Sequence, residues 1–173
     1  MRLSRKFFSQ DVLKVAPALL GMDLVHQFPD KTVNRYTILE TEAYRGETDL
    51  ACHASKGKTK RTLIMYEPGG CVYMYLIYGM YWMLNFVTGK LNEPQAVLIR
   101  GIKGFNGPGK LTRALTLNGS LNGADLEHDD QLWVENTGIS PAYTTGPRIG
   151  VAYAGEEWAG KPWRFLVKGA YSK

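Results

Sequence analysis

The chain of 173 residues holds little cysteine and histidine: Cys52 and Cys71, then His26, His53 and His128. The two cysteines form no CxxC pair. A disulfide scaffold needs more of them and a structural zinc site more ligands, so the thiols are expected to be buried and free in a reducing cytoplasm. No metal and no cofactor is expected. Neither GxGxxG after a strand, GxxxxGK[ST], HExxH nor GxSxG occurs, which removes the dinucleotide, P-loop, zinc-protease and nucleophile-elbow classes. No tract is of low complexity and no internal repeat is found. The basic start MRLSRKFFSQDVLK runs into no unbroken apolar segment, so no signal peptide is expected.

Charge is missing from one long stretch, Pro68 to Gly89. A membrane span needs about 20 apolar residues, so length alone allows one. Composition excludes it, because Tyr73, Tyr75, Tyr78, Tyr81 and Asn85 are poor material for a bilayer centre and Gly79 interrupts the run. Tyr, Val, Ile and Trp favour strands, and Gly marks turns. Two strands, Cys71–Ile77 and Tyr81–Val87, are predicted around a Tyr78-Gly79-Met80 turn. Tyr78 then stands at a hairpin tip, and Tyr73 and Tyr75 share one strand face.

The length suits one domain spanning residues 1–173. A formal charge of +5 favours an anionic partner, the more so because Asp125, Glu127, Asp129 and Asp130 gather the acidic charge in one place. Val12, Val15, Ala16, Leu19 and Leu20 have helical spacing within Ser9–Gly21, with Pro17 shortening or kinking that helix. Strands are predicted at Met22–Gln27, Arg35–Tyr44, Gln95–Ile102, Leu132–Glu135, Gly146–Ala152 and Trp163–Val167. A short helix follows Gly107-Pro108-Gly109, with Lys110 in its first turn. Strands outnumber helices and lie too close together for βαβ units. The predicted fold is α+β: a mainly antiparallel curved sheet with flanking helices and a protruding hairpin.

The strand RYTILETEAY carries the chemistry. Alternation puts Ile38, Glu40, Glu42 and Tyr44 on one face and Leu39, Thr41 and Ala43 on the other, with the Leu39 face packed. An acidic pair on a strand is most often a solvated face; here the alternative is the lining of a cleft. The run Lys56, Lys58, Lys60 and Arg61 suits either solvent or a phosphate backbone, and Arg100, amid apolar residues, calls for an acidic partner. Three readings follow. A sugar hydrolase would use Glu40 and Glu42, about 6.5–7 Å apart on one strand face and near the inverting separation of about 6.5–9.5 Å, although one strand cannot easily flank both faces of a sugar. An enzyme that extracts a nucleotide from duplex DNA needs a wedge, aromatic walls, cations for phosphates and a carboxylate to activate water, and each has a candidate. A DNA-binding domain without catalysis is the third, with Glu42 structural.

ETEAY at 40–44, His53, YxYxxYGMY at 73–81, Asn85, Arg100, GPGKL at 107–111 and RIGV…AG…W…KPWRF at 148–165 occur in one order. Together they closely resemble the alkyladenine (3-methyladenine) DNA glycosylases of base excision repair, from about Leu3 to Val167. The resemblance implies hydrolysis of the N-glycosidic bond of alkylated or deaminated purines (3-methyladenine, 7-methylguanine, hypoxanthine, ethenoadenine) in double-stranded DNA. It leaves an abasic site without strand cleavage, by a cytoplasmic monomer with no cofactor and no membrane partner; a non-catalytic damaged-DNA-binding protein is the alternative. It implies Glu42 as general base, with Arg100 and the backbone carbonyl of Ile149 holding the attacking water. Tyr44, His53 and Tyr75 would sandwich the flipped base, Asn85 would crowd the exocyclic amine of guanine and Tyr78 would intercalate. Thr59, Arg61 and Lys110 would meet the DNA backbone, and Met65 and Met80 would shape lesion choice. One departure stands out: only Gly101–Asn106 separates Arg100 from GPGKL, where the family commonly has a longer segment.

Overall fold

The computed structural model describes residues 1–171. Two short helices come first, α1 (Arg5–Phe8) and α2 (Val12–Ala18). The Asp11 carboxylate accepts the Leu13 N–H at 2.9 Å and so caps α2. Pro17 lies in its last turn and the helix ends one residue later, as a missing donor and a ring clash require. Val12, Val15, Ala16, Leu19 and Leu20 are all buried, as their spacing predicts.

The strands are β1 (Asp23–Gln27), β2 (Val33–Arg45), β3 (Val72–Ile77), β4 (Tyr81–Thr88), β5 (Gln95–Ile102) and β6 (Phe105–Asn106), followed by helix α3 (Pro108–Ala114). Then come β7 (Leu132–Glu135), β8 (Tyr143–Gly146), helix α4 (Glu156–Gly160) and β9 (Arg164–Val167). All pairings between these strands are antiparallel, in the order β3-β4-β5-β2-β1-β7, with β6 beside β5 and β9 joining β8 to β2. The fold is α+β, as predicted. One core unites the buried side of α2 with Ile38, Ala43, Leu84, Phe86, Val97 and Ile99 of the sheet and with Leu111 and Leu115 at α3. Burying each of the larger side chains contributes about 1.5–3 kcal/mol. Among the described residues no helix is long and apolar enough to cross a membrane.

Three sequence expectations need correction. The β2–β5 register shifts between Ile38 and Glu40 and again between Glu40 and Thr41. A bulge of this kind breaks strict alternation, so Ile38 joins Ala43 in the core instead of sharing the face of Glu42; Leu39 is half-buried. Nor is the acidic face solvated: Glu40 and Glu42 are 3% and 0% exposed. Finally, residues 146–152 form no strand beyond Gly146. Pro147 cannot donate to a ladder, Gly150 has φ +76°, and Arg148 turns inward to a buried carboxylate. The strand falls earlier, at Tyr143–Gly146.

The hairpin forms where expected. Ile77 pairs with Tyr81 and the Met80 N–H donates to the Ile77 carbonyl at 3.1 Å. Tyr78 and Gly79 both have positive φ, +53° and +67°, the backbone of a type I′ turn. Glycine adopts this freely, whereas a bulky tyrosine there is strained. The short link after β5 closes as a second small hairpin, Gly101 opposite Asn106 and Ile102 opposite Phe105. The Gly107 N–H then bonds the Arg100 carbonyl and α3 begins at once.

Candidate active site

Glu42 lies fully buried on β2 and is held from three sides. The Tyr44 hydroxyl donates to its Oε2 at 2.7 Å, the Ile149 N–H to its Oε1 at 2.8 Å, and Arg100 Nε stands 3.6 Å from that same Oε1. Burial pushes the carboxyl upward; Arg100, the Ile149 N–H and the Tyr44 hydroxyl pull it down, and the charge of Glu40 pushes it up again. The net shift is upward, so Glu42 holds a proton more strongly than an exposed glutamate and is a stronger base once ionised. The loop between β8 and α4, expected as strand, brings the Ile149 N–H to Glu42.

Beside the carboxylate stand aromatic rings. His53 and Tyr75 meet edge to face at 4.5 Å, and Tyr73 lies 5.5 Å from Tyr75. The Tyr73 hydroxyl is 2.9 Å from His53 Nδ1. Burial, then the charge of Arg61, lower the His53 pKa to about 4. A neutral imidazole that accepts the Tyr73 O–H at Nδ1 carries its proton on Nε2. This shift has a consequence for stability. An unfolded histidine takes a proton near pH 6.5 and the folded one only near 4. The folded state therefore loses up to about 3 kcal/mol as pH falls through that window. Urea unfolding at pH 7 and pH 4.5 is expected to show a smaller acid-induced loss in His53→Gln than in the wild type.

Asn85 stands on β4 opposite Tyr73 and donates to the Tyr73 and Met83 carbonyls at 3.2 and 3.3 Å. It is buried, and with Met65 it borders a small space of about 20 Å³ behind Tyr44, His53 and Tyr75. The open cleft in front, about 1020 Å³, is lined by every other predicted site residue except Met80 and Glu42, the latter lying beneath it. Tyr44, His53 and Tyr75 form its walls, and Arg100 and Ile149 also line it. Thr59, Arg61, Lys110 and Tyr78 stand with them. The Arg61 guanidinium lies 5.3 Å from the Tyr75 ring centre, Lys110 lies in the first turn of α3 with an exposed side chain, and Tyr78 is 84% exposed. Met80, beside it, is exposed as well. Among the described residues no cluster of His, Cys, Asp and Glu fits a metal ion.

Sequence reasoning missed a brace behind this site. Arg148 donates through both terminal nitrogens to Asp49 at 2.6 and 2.9 Å, and also to the Ala43 and Trp158 carbonyls. Its guanidinium lies 4.8 Å from the Tyr44 ring centre and 5.0 Å from that of Trp163. Asp49 further accepts the N–H groups of Arg45 and Ala51. The available signal was an arginine beside the apolar residues Ile149, Val151 and Ala152, the kind of argument that called for an acidic partner to Arg100. Tyr153, which donates to the Ala51 carbonyl and lines the cleft, was missed as well.

The sequence model of the methylpurine-DNA glycosylase family matches residues 6–105 and 103–171. The class is therefore that of the DNA glycosylases. A protein of Methanocella arvoryzae named "Putative 3-methyladenine DNA glycosylase" is 45% identical over 186 residues, covering 96% of this chain and 92% of its own length. Proteins of the same name from Rickettsia rickettsii (strain Sheila Smith) and Legionella pneumophila (strain Corby) are each 43% identical. They cover 95% and 96% of this chain, and 89% and 94% of their own lengths. The chain belongs to the methylpurine-DNA glycosylase family.

Proposed function

We propose that the chain is a monofunctional glycosylase that flips alkylated or deaminated purines out of duplex DNA and hydrolyses their N-glycosidic bond with an activated water. The observation that carries this reading is Glu42, a fully buried carboxylate held by a tyrosine hydroxyl, a backbone N–H and a guanidinium beneath an aromatic-walled cleft. Its carboxylate takes a proton from water attacking the anomeric carbon and offsets positive charge growing on the sugar. Arg100, at the mouth of the carboxylate, holds that water.

Tyr44 on one side and His53 with Tyr75 on the other hold the extruded base by stacking, which is tolerant of base identity. Asn85 closes the back, and the narrow space left beside it disfavours an added exocyclic amine. Arg61, Thr59 and Lys110 meet phosphates on the rim. The reaction stops at the abasic site: strand cleavage needs an amine nucleophile, and the cleft lysines, Lys56 and Lys110, are both exposed rather than in the apolar surroundings that activate a Schiff-base lysine. The enzyme acts as a monomer on cytoplasmic DNA.

The test is incubation with duplexes carrying one hypoxanthine or one ethenoadenine and with methylated DNA, followed by hot alkali. Alkali-dependent breaks at the lesion, with none before alkali, are the expected result. No abasic sites at any enzyme excess would leave a damage-binding protein in its place, and turnover of a simple aryl glycoside would favour a sugar hydrolase. For the tip, Tyr78 is exposed and backbone-strained, a combination that accumulates at functional sites. Filling the vacated stack is worth about 1–3 kcal/mol. Tyr78→Ser is therefore expected to lower the ratio of lesion to undamaged affinity by about tenfold in competition binding, with non-specific affinity little changed.

A further inference from the structure

The proposed reaction leaves one buried carboxylate beside Glu42 unused. Glu40 Oε1 accepts from Arg164 Nη1 at 3.1 Å and lies 3.4 Å from Arg100 Nε, while its Oε2 accepts from the Tyr171 hydroxyl at 3.2 Å. Arg100 Nε is also 3.6 Å from Glu42 Oε1. A single guanidinium N–H thus faces two buried carboxylates at nearly equal distances. The bulge bracketing Glu40 lets it share the side of Glu42 while Ile38 turns to the core.

The Tyr171 contact is built into the chain. A side chain on Gly101 would place its Cβ in severe clash with the Tyr171 hydroxyl, so a residue without Cβ leaves the space through which that hydroxyl reaches Glu40. Stability alone is a poor reason for such a cluster, since buried ion pairs seldom improve on apolar packing.

We propose that Glu40 is a positioning residue that sets the basicity of Glu42 by competing with it for Arg100, with Arg164 and Tyr171 setting how strongly it competes. The inference rests on Glu42 being the base. With Glu40 neutral, Arg100 closes on Glu42, the ionised form is favoured, and Glu42 becomes a weaker base available at lower pH. Without Arg164, Glu40 draws more of Arg100, and Glu42 must lose its proton at higher pH.

Single-turnover release of 7-methylguanine as a function of pH tests this. The base leaves a cationic nucleoside and needs no acid, so the acid limb reports the base. Glu40→Gln is expected to move that limb down by about one unit, with the plateau rate falling less than tenfold. Arg164→Gln is expected to move it up by a similar amount, and Arg164→Lys, which keeps the charge, to leave it near the wild type. In the Glu40→Gln background Arg164→Gln should no longer raise it, because its effect passes through Glu40. Tyr171→Phe moves the limb up slightly and serves if Glu40→Gln folds poorly. Unmoved midpoints in both single variants, a shift of the opposite sign, or an undiminished Arg164 effect without Glu40 each overturn the proposal. An active Glu42→Gln sinks the base assignment itself; an inert one with unmoved midpoints sinks only the role of Glu40.

Discussion

Glu42→Gln is expected to lower single-turnover base release by about 10³-fold or more while lesion-duplex affinity stays within a few-fold of the wild type. The amide is isosteric and its surroundings can satisfy it. Its oxygen faces the Ile149 N–H, and its NH₂ donates to the Tyr44 hydroxyl, which can accept as well as donate. What it loses is the basic lone pair and the charge. General-base removal costs about 10²–10⁴-fold, and loss of the negative charge opposite a cationic transition state adds to that. A second readout accompanies the first. Glu42 has a folded pKa raised by burial, so its ionised form opposes folding. That penalty is absent below the unfolded carboxyl pKa and grows as pH rises through the folded one. Glu42→Gln should therefore raise the urea midpoint at neutral pH even as it stops the reaction. A variant less stable than wild type and still active would remove Glu42 from the base position.

The hairpin was legible in the sequence because everything that makes it is local: β-prone residues on both arms and a glycine at a left-handed turn position. The α2 face was legible for the same reason. That Arg100 needs an acidic partner was legible because a strand arginine among apolar residues must find a carboxylate, and alternation put Glu42 and Tyr44 on one face; which carboxylates meet Arg100 was not legible. The rim residues Thr59, Arg61 and Lys110 were another matter. Their residue types suit any solvated loop, and their place in the site came through the resemblance of the chain to a known family. What stayed hidden was non-local. The bulge that turns Ile38 inward is a property of β2 against β5, not of β2 alone. The apolar run after Gly146 reads as strand until Arg148 is paired with Asp49 in another loop. Asn85 shows how a correct neighbourhood can hide its depth: the family resemblance implied a place in the base pocket, and only the assembled rings put it behind them.

Arg148→Met is expected to destabilise the fold by about 3–5 kcal/mol, the cost of leaving one member of a buried ion pair alone. Both partners are fully buried at their side chains. Asp49 would keep the Arg45 and Ala51 N–H groups but lose the cation it is paired with, while the Ala43 and Trp158 carbonyls would each lose a donor. The double variant Arg148→Met/Asp49→Asn should recover part of the loss, because the amide oxygen still accepts from one of those N–H groups and no charge is left stranded. Urea midpoints of the two single variants and the double variant check this, with a coupling of about 0.5–3 kcal/mol expected for a contacting pair. Simple additivity would show that the pair carries no energy of its own. The effect should also reach the chemistry. Arg148 ties the loop that carries Ile149 to the end of β2 that carries Tyr44, and these two residues hold the two oxygens of Glu42. Loosening that tie lets the carboxylate wander by a fraction of an ångström, and misplacement of about 1 Å can cost a hundredfold in rate. Base release measured below the unfolding transition of the variant, where the chain is still folded, should therefore fall in rate constant more than in affinity.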